Sequence, residues 1–372
     1  MDSRLPYFPR APFDQTCLGH IQNLSGIAVF APRRRGKTAF VVNELLPGAA
    51  NIGYSTIYID LWRNEATPEL AIVEGLEKAL PESKWRLSKI KGSGKAKAPA
   101  VEVGGEVELV RADDVAVPNI IMRLNRAFDR FGKSNKRWLI VMDEFQTIAR
   151  SKEPGFVAAL RTGIQGAPNV KLFVTGSSRR ELAKMITKQS SPFMGMLMQL
   201  ELPELDQAFV KNRCELVLER TKRKVSAADL MAVFERVVLV PEYLNQIVSI
   251  MIVEGIYKPA EAYESWRSRH SEGEAATVWE TFSEIDRSLL GIVALRPGTM
   301  LFGRPTITWL SKQTGEVIAA PKIQAALRRL TRSGLIEPGT ENGEYEIADD
   351  GMRLYLESRP PALPPNARNK KT

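Results

Sequence analysis

Residues 31–38 read Ala-Pro-Arg-Arg-Arg-Gly-Lys-Thr and lie between an apolar run, Gly26–Phe30, and a helix-like stretch, residues 39–46. A loop that joins a strand to a helix in this way points backbone N–H groups and the positive end of the helix dipole at an anion. With this spacing, Lys37 is expected to reach the β- and γ-phosphates of a nucleotide, and the Thr38 hydroxyl to bind Mg²⁺. The stretch therefore predicts a loop that binds ATP or GTP, formed by Ala31, Pro32, Arg33, Arg34, Arg35, Gly36, Lys37, Thr38 and Ala39.

This loop differs in two ways from the usual G-x-x-x-x-G-K-[ST] pattern. Ala31 stands where the first glycine is usual. Alanine is compatible with that turn if its φ is negative, because the closest approach to phosphate falls near Gly36 and Lys37. The run Arg33–Arg35 is available to the nucleotide, to a neighbouring subunit or to solvent, and the simplest expectation is that at least two of these arginines face water.

A second apolar run, residues 137–142, ends in the carboxylates Asp143 and Glu144. A continuous apolar run of this length is typical of a buried parallel strand. The two carboxylates at its end match a Walker B motif, in which Asp143 holds Mg²⁺ and Glu144 orients and deprotonates the attacking water. In the alternative, the pair only caps the next helix, but the upstream Lys37 and Thr38 favour the first interpretation.

Two further strand-like runs lie at residues 55–61 and 169–174, and the second is followed by the polar cluster 175–180. Strands that alternate with helical segments predict an α/β fold with a parallel sheet covered by helices on both faces. Polar residues at the strand ends then lie at the ligand-binding edge, where Thr175 or Ser177 is placed to sense the γ-phosphate. Thr175 thus joins Lys37 and Glu144 as a catalytic candidate, although small polar residues after a strand are also common in turns.

The order of these segments predicts several units along the 372 residues. The chain is long enough for two or three domains. A glycine pair within an alternating stretch predicts a hairpin inside an insertion of the core. The predicted units are an irregular, proline-rich lead-in (1–20), a P-loop core (21–204) with an insertion at about 87–117, a helical lid (205–270), a winged helix (277–358) and a flexible basic tail (359–372).

The winged helix is predicted from three helices and a short hairpin. The helices are expected at residues 279–295, 306–313 and 321–333, and the hairpin strands at 335–338 and 343–347. In the third helix, a buried stripe at i, i+3, i+4 and i+7 leaves a basic face exposed. That face consists of Lys322, Gln324, Arg328, Arg329 and Arg332.

An exposed basic helix is what docking in the DNA major groove requires, and the net charge of +9 agrees with an acidic partner. Nucleic acid is the leading candidate for that partner, and an anionic membrane surface is the second. Winged helices also dock proteins, and basic helix faces are often only solvated. DNA contact and protein docking therefore both remain open at this point.

Composition argues against several other classes of protein. Cys17 and Cys214 are the only cysteines, too few for a disulfide framework or a structural zinc site, and the presence of only two histidines disfavours His-based metal catalysis. The N-terminus lacks the apolar core of a signal peptide, and no apolar stretch has the length that spans a bilayer. The sequence therefore predicts a cytoplasmic protein with no membrane partner.

These motifs resemble those of archaeal-type ATPases with a C-terminal winged helix, relatives of the origin-recognition and STAND branches of the AAA+ class. The matching blocks are residues 31–38, Met-Asp-Glu-Phe-Gln at 142–146, Val-Thr-Gly-Ser-Ser at 174–178 and Ser-Pro-Phe-Met-Gly at 191–195. The resemblance implies an AAA+-like core with a helical lid. It also implies ATP hydrolysis by Lys37, Thr38, Asp143, Glu144 and Thr175, with Gln146 coupling the acidic box to the sensor strand.

Two departures from that family leave its arginine unassigned. The family often has an arginine after the glycine of the Pro-x-x-Gly block, where this chain has Met196. The lid reads Val-Pro-Glu-Tyr-Leu at 240–244 where relatives commonly show a Gly-x-Pro turn. Arg179 and Arg180 are the nearest local candidates for an arginine supplied to a neighbouring subunit.

The leading hypothesis is an ATPase with slow turnover, whose nucleotide state controls self-association and engagement of DNA through the winged helix. The alternative is a STAND-like scaffold, in which the winged helix docks a protein partner and ATP licenses assembly. A metabolic kinase is disfavoured, because the Asp143-Glu144 pair indicates that water, and not a small-molecule substrate, accepts the phosphoryl group. The biological process is not set by a fold-level resemblance.

Overall fold

The computed structural model describes residues 5–80, 119–187, 191–271, 274–339 and 343–364. The insertion predicted at about 87–117, with its hairpin, lies outside these residues. The same holds for most of the predicted basic tail, because the description ends at residue 364. Within the described ranges, no helix has the length and apolar character needed to cross a bilayer.

A parallel sheet confirms the predicted α/β fold class. Its strands are β1 (Gly26–Phe30), β2 (Tyr54–Asp60), β3 (Arg137–Asp143), β4 (Val170–Gly176) and β5 (Met198–Glu201), in the order β2-β3-β4-β1-β5. The apolar runs of β1, β3 and β4 are buried, as expected for inner strands covered on both faces. All carboxyl ends meet at one edge, where Asp60 is paired with Asp143.

Helices cover both faces of the sheet. One layer contains α1 (Phe13–Asn23), α2 (Lys37–Phe40), a π-helical segment (Val41–Leu45) and α3 (Leu46–Asn51). The other layer contains α4 (Pro68–Ala79), α5 (Ile120–Gly132), α6 (Phe156–Gly166) and α7 (Arg179–Thr187). Short 3₁₀ turns follow β2 (Trp62–Asn64) and β3 (Phe145–Arg150).

Helix α1 shows that the predicted irregular lead-in over residues 1–20 is wrong from Phe13 onward. Phe13, Cys17 and Ile21 recur at every fourth position and are buried against the sheet. This apolar spacing forms one face of a helix, and its burial outweighs the local signal from the neighbouring prolines.

Four helices form the lid, with a hydrophobic core of their own. They are α8 (Gln207–Thr221), α9 (Ala227–Arg236), α10 (Pro241–Glu254) and α11 (Pro259–Ser271). The turn between α9 and α10 places Val238 (φ 55°) and Leu239 (φ 53°) in the left-handed region. This conformation is costly for branched and bulky side chains, so the surrounding contacts must hold the turn in place.

The C-terminal unit contains α12 (Glu274–Glu280), α13 (Glu284–Leu295), α14 (Arg304–Thr314), α15 (Ala320–Arg332), β6 (Ile336–Pro338), β7 (Tyr345–Ile347) and α16 (Asp350–Ser358). Helices α13 to α15 and the antiparallel β6–β7 hairpin form the winged helix. The single helix predicted over residues 279–295 is in fact two helices, because the Ser283 side chain caps a new start at α13. Helix α16 packs Leu354 into the lid core and Met352 into the winged-helix core.

Candidate nucleotide-binding site

A cavity of about 1400 Å³ lies at the carboxyl edge of the sheet and extends to the lid. The phosphate loop and the acidic pair predicted from the sequence line one end of it, through Lys37, Thr38, Asp143 and Glu144. The residues at the other end come from the N-terminal segment, α8 and α10, and include Tyr7, Phe8, Phe209, Arg213 and Asn245. Sequence reasoning missed this second group, although the apolar cluster at residues 5–8 was a signal for it.

The backbone of the phosphate loop follows the strand–loop–helix pattern. Its left-handed residues are Arg34 (φ 61°) and Gly36 (φ 88°), whereas Ala31 has no positive φ and is buried. Ala31 therefore meets the condition under which alanine fits this position. Gly36 immediately precedes α2, so the N–H groups of the first helical turn face the cavity end of the loop. Of the other predicted loop residues, Pro32 is exposed and Ala39 lines the cavity.

Lys37 is buried within the loop, and its ammonium group has several partners. Its Nζ donates to the carbonyl oxygens of Ala31 (2.8 Å) and Pro32 (3.1 Å) and lies 3.5 Å from Glu144 Oε1. Burial lowers the pKa of Lys37, and the charges of Glu144 and Asp143 oppose this shift. The ammonium is thus held where phosphate oxygens would be stronger acceptors than neutral carbonyls.

Asp143 accepts hydrogen bonds from three hydroxyl groups. Its Oδ2 accepts from Thr38 Oγ1 (2.6 Å) and Tyr58 OH (3.0 Å), and its Oδ1 accepts from the Thr175 hydroxyl. The carboxylate and the Thr38 hydroxyl together offer the hard oxygen ligands that Mg²⁺ prefers, so these residues fit the metal. Thr175 is buried against Asp143 and is not among the residues that line the cavity, which differs from the position expected of a γ-phosphate sensor.

Tyr58 was missed by sequence reasoning, because its contact with Asp143 depends on the pairing of β2 with β3. Burial and the neighbouring Asp143 charge raise the pKa of Tyr58, so its hydroxyl stays protonated and donates to the carboxylate. The only local signal was its position two residues before Asp60, on the same side of a strand that ends at the ligand-binding edge.

Glu144 has a left-handed backbone (φ 54°), and its carboxylate is fixed by the end of β4. Its Oε2 accepts from Ser177 N (3.2 Å), Ser177 Oγ (2.6 Å) and Gln146 Nε2 (2.5 Å). Gln146 Nε2 also lies 3.3 Å from Ser177 Oγ, so Gln146 connects Glu144 to the residue that follows β4. The next residue, Ser178, donates to Glu337 Oε2 on β6 at 3.1 Å.

Two arginines of the phosphate loop contact the start of α16, and the expectation that at least two of the three face water is wrong. Arg34 Nη1 lies 3.4 Å from Asp349 Oδ2. Arg35 donates to the Leu239 carbonyl (2.8 Å) and lies 3.7 Å from Asp350 Oδ2. Burial raises the pKa of Asp350, and the Arg35 charge opposes that shift. These partners lie more than 200 residues away in sequence, which is why local patterns did not reveal them.

The predicted basic face of α15 is exposed along its length, at Lys322, Gln324, Arg328, Arg329 and Arg332. Two of these side chains have carboxylate partners: Lys322 contacts Glu316, and Arg329 Nη2 lies 2.8 Å from Asp286 Oδ1. Arg328 and Arg332 form no ion pair within the described part of the chain. Arg179 and Arg180 begin α7, but the structure does not describe their side chains.

The chain was compared with known protein families, curated proteins and solved structures. No family model and no curated protein matches the sequence. Among solved structures, a Walker-type ATPase of Pyrococcus abyssi matches with a TM-score of 0.62 and 18% identity, over 94% of this chain and 96% of that one. The ORC2 protein of Aeropyrum pernix, in ADPNP and ADP complexes, matches with a TM-score of 0.52 and 14% identity, over 96% of each chain.

The ORC1 protein of Aeropyrum pernix, solved in complex with DNA, matches with a TM-score of 0.51 and 15% identity, over 95% of this chain and 94% of that one. Identities this low establish the fold alone. The matches cover 94–96% of this chain, so the likeness of fold extends over nearly its whole length. The chain therefore has the P-loop fold of the archaeal Walker-type ATPase and origin-recognition proteins, and the fold that the sequence resemblance predicted is confirmed.

Proposed function

We propose that this protein binds and slowly hydrolyses ATP, and that its nucleotide state controls how the winged helix engages DNA. One observation carries the proposal: a single loop contains both the residues proposed to bind the nucleotide and the arginines that contact the winged-helix unit. Lys37 and Thr38 of that loop meet Glu144 and Asp143 across the cavity. The arginines just before them bond to the lid and to α16.

The residues around the cavity have the chemistry that hydrolysis needs. Lys37 and the N–H groups at the start of α2 would bind the phosphates. Thr38 and Asp143 would hold Mg²⁺, which when bound neutralises charge on the phosphate oxygens. Glu144 would orient a water molecule and accept its proton, and in this structure its carboxylate is held by Gln146 and Ser177.

The coupling to DNA is proposed to run through Arg34 and Arg35. Arg34 Nη1 donates to Tyr243 OH on α10 at 2.7 Å and also reaches Asp349 on α16. A phosphate loop that adjusts its backbone around a nucleotide moves both arginines, and with them the lid and the winged helix. The same rearrangement is proposed to favour self-association of the ATP-bound form.

DNA is the preferred partner because the basic face of α15 is exposed, and because the structurally similar ORC1 protein was solved with DNA. A second candidate is a scaffold in which the winged helix docks a protein. The ion pairs of Lys322 with Glu316 and of Arg329 with Asp286 favour it, because they neutralise two of the four basic side chains on that face. Binding to DNA at several salt concentrations separates the two.

The site is tested by phosphate release and by binding of a fluorescent ATP analogue. We expect Lys37→Ala to abolish nucleotide binding, because it removes the buried ammonium that lies 3.5 Å from Glu144 and would bind the β- and γ-phosphates. We expect Glu144→Gln to bind the analogue and lose hydrolysis by about a hundredfold or more, because it removes the proton acceptor. Arg126→Ala, on the exposed side of α5, is the control. If both variants hydrolyse ATP like the parent, the site assignment is wrong.

A further inference from the structure

The three consecutive arginines of the phosphate loop differ in how their charges are compensated. Arg34 pairs with Asp349, and Arg35 pairs with Glu204 and Asp350. Arg33 has no carboxylate partner among the residues that the structure describes, and it is only partly exposed. A half-buried guanidinium without a counter-ion is unusual, because desolvating a charge is costly unless a partner offsets it.

Arg33 lies on the wall of the nucleotide cavity, together with Lys37, Asp143 and Glu144. Its guanidinium stacks on the ring of Trp62, 5.1 Å from the ring centre, and Trp62 lines the same cavity. Stacking on an aromatic face supports a guanidinium while leaving its N–H groups free to donate.

The other side of Arg33 faces the winged-helix unit at Gly334, in the turn between α15 and β6. A Cβ atom placed on Gly334 would lie 2.7 to 2.9 Å from the Arg33 guanidinium, and the glycine backbone is left-handed (φ 72°). A side chain at this position would require Arg33 to shift, and the left-handed backbone itself favours glycine. Arg33 therefore lies between Trp62 and Gly334 at the wall of the cavity.

We propose that Arg33 binds the terminal phosphate of ATP. It would supply within one chain the guanidinium that Met196 and the lid segment 240–244 do not provide. A guanidinium matches two phosphate oxygens with two parallel N–H donors, which a lysine does not. This inference rests on the proposed function, and it names the residue that distinguishes ATP from ADP.

In hydrolysis, the water oxygen bonds to the γ-phosphorus, the bond to the oxygen bridging to the β-phosphate breaks, and Glu144 accepts the proton from water. ADP and phosphate are the products, and Arg33 neither gains nor loses a proton. Its part is to offset negative charge on the terminal phosphate oxygens. Because Gly334 covers Arg33, release of that phosphate also changes how Arg33 packs on the winged helix.

The experiment compares full-length Arg33→Ala, Arg33→Lys and the control Arg126→Ala. For each, affinities are measured for fluorescent ADP and for a fluorescent, non-hydrolysable ATP analogue, both with Mg²⁺. We expect Arg33→Ala to lower the affinity for the triphosphate analogue by about tenfold or more, because this ligand loses a charge-assisted hydrogen bond. The affinity for ADP should change by less than about twofold, because ADP lacks the terminal phosphate. We expect Arg33→Lys to fall between the parent and Arg33→Ala, and Arg126→Ala to match the parent.

If Arg33→Ala lowers the affinities for ADP and for the triphosphate analogue equally, Arg33 only shapes the loop. If neither affinity falls, Arg33 faces away from the nucleotide. Both results overturn the inference. A parent protein that binds neither nucleotide would instead overturn the proposed function. Thermal unfolding of each variant identifies any loss of affinity that comes from misfolding, and Arg33→Lys provides the test if Arg33→Ala does not fold.

Discussion

Glu144 illustrates how much of this site is decided by single residues. Its left-handed backbone turns the carboxylate toward Ser177 and Gln146, and three hydrogen bonds hold one of its oxygens there. Donors of this kind hold the charged carboxylate in one orientation. Glu144 is therefore restrained in the arrangement described here, and releasing it is a way to change the rate of hydrolysis.

Ser177→Ala tests this restraint. The change removes the hydroxyl donor at 2.6 Å from Glu144 and keeps the backbone donor. We expect the basal turnover of ATP to rise by roughly threefold to tenfold with little change in KM, because one charge-assisted hydrogen bond no longer restrains the base. Steady-state phosphate release measures both constants, and Thr162→Ala on α6 is the matched control. A fall in turnover would show instead that Ser177 orients Glu144 productively.

The sequence predicts the residues whose roles depend on local spacing. Lys37, Thr38, Asp143 and Glu144 were singled out by their distance from strand ends, and the structure brings these four around one cavity. Tyr58 lies on β2 and Trp62 lies in the 3₁₀ turn that follows it, so both positions depend on the register of that strand, which no local pattern reveals. The same limit applies to Arg34, whose partner Asp349 follows it by 315 residues.

Among the elements, α16 contacts the lid core, the winged-helix core and the phosphate loop. It was not predicted as a separate helix, because its apolar residues serve two cores and do not form one stripe. Its first residues, Asp349 and Asp350, pair with the loop arginines, and Asp349 also caps the helix by accepting from Met352 N at 2.7 Å. A helix start is therefore tied directly to the phosphate loop.

The double variant Asp349→Asn, Asp350→Asn tests this connection. Asparagine keeps a good N-cap, so the change removes charge with little effect on the helix itself. We expect hydrogen exchange in residues 350–358 to accelerate by about tenfold or more, because two partly buried arginines lose their partners. Exchange in β3 should not change. Glu254→Gln, which breaks an exposed pair with Arg269, is the control, and equal exchange in both variants would contradict the connection.

Element prediction succeeded where apolar periodicity was strong and failed where it was weak. The inner strands β1, β3 and β4 were predicted within two residues, because continuous apolar runs mark strands buried on both faces. Strand β5 was missed, since it has four residues and is mostly exposed. The lid turn at Val238 and Leu239 was also unforeseen, because its left-handed backbone is held by tertiary contacts such as the Arg35 bond to the Leu239 carbonyl.

For the whole molecule, the net charge of +9 includes the exposed basic side chains of α15. We expect the double variant Arg328→Ala, Arg332→Ala to weaken DNA binding and to reduce the slope of log affinity against log salt by about one for each phosphate that is no longer neutralised. Lys322→Ala with Arg329→Ala should have the smaller effect, because those side chains already pair with Glu316 and Asp286. Fluorescence anisotropy with a labelled duplex measures the slopes.

The control for this comparison is Arg126→Ala, which removes one positive charge outside the winged helix. A uniform decrease in affinity for all three variants would indicate that only net charge matters. No binding by the parent at low salt would favour the protein-docking scaffold over a DNA partner.

Ser177 and Ser178 are consecutive, so their Cα atoms lie about 3.8 Å apart. One donates to Glu144, and the other donates to Glu337 on the winged-helix hairpin. If Glu144 activates water as proposed, a force on the hairpin, such as a bent duplex exerts when it straightens, would reach its carboxylate through a single peptide unit. We therefore expect tension on the hairpin to change the rate of ATP hydrolysis.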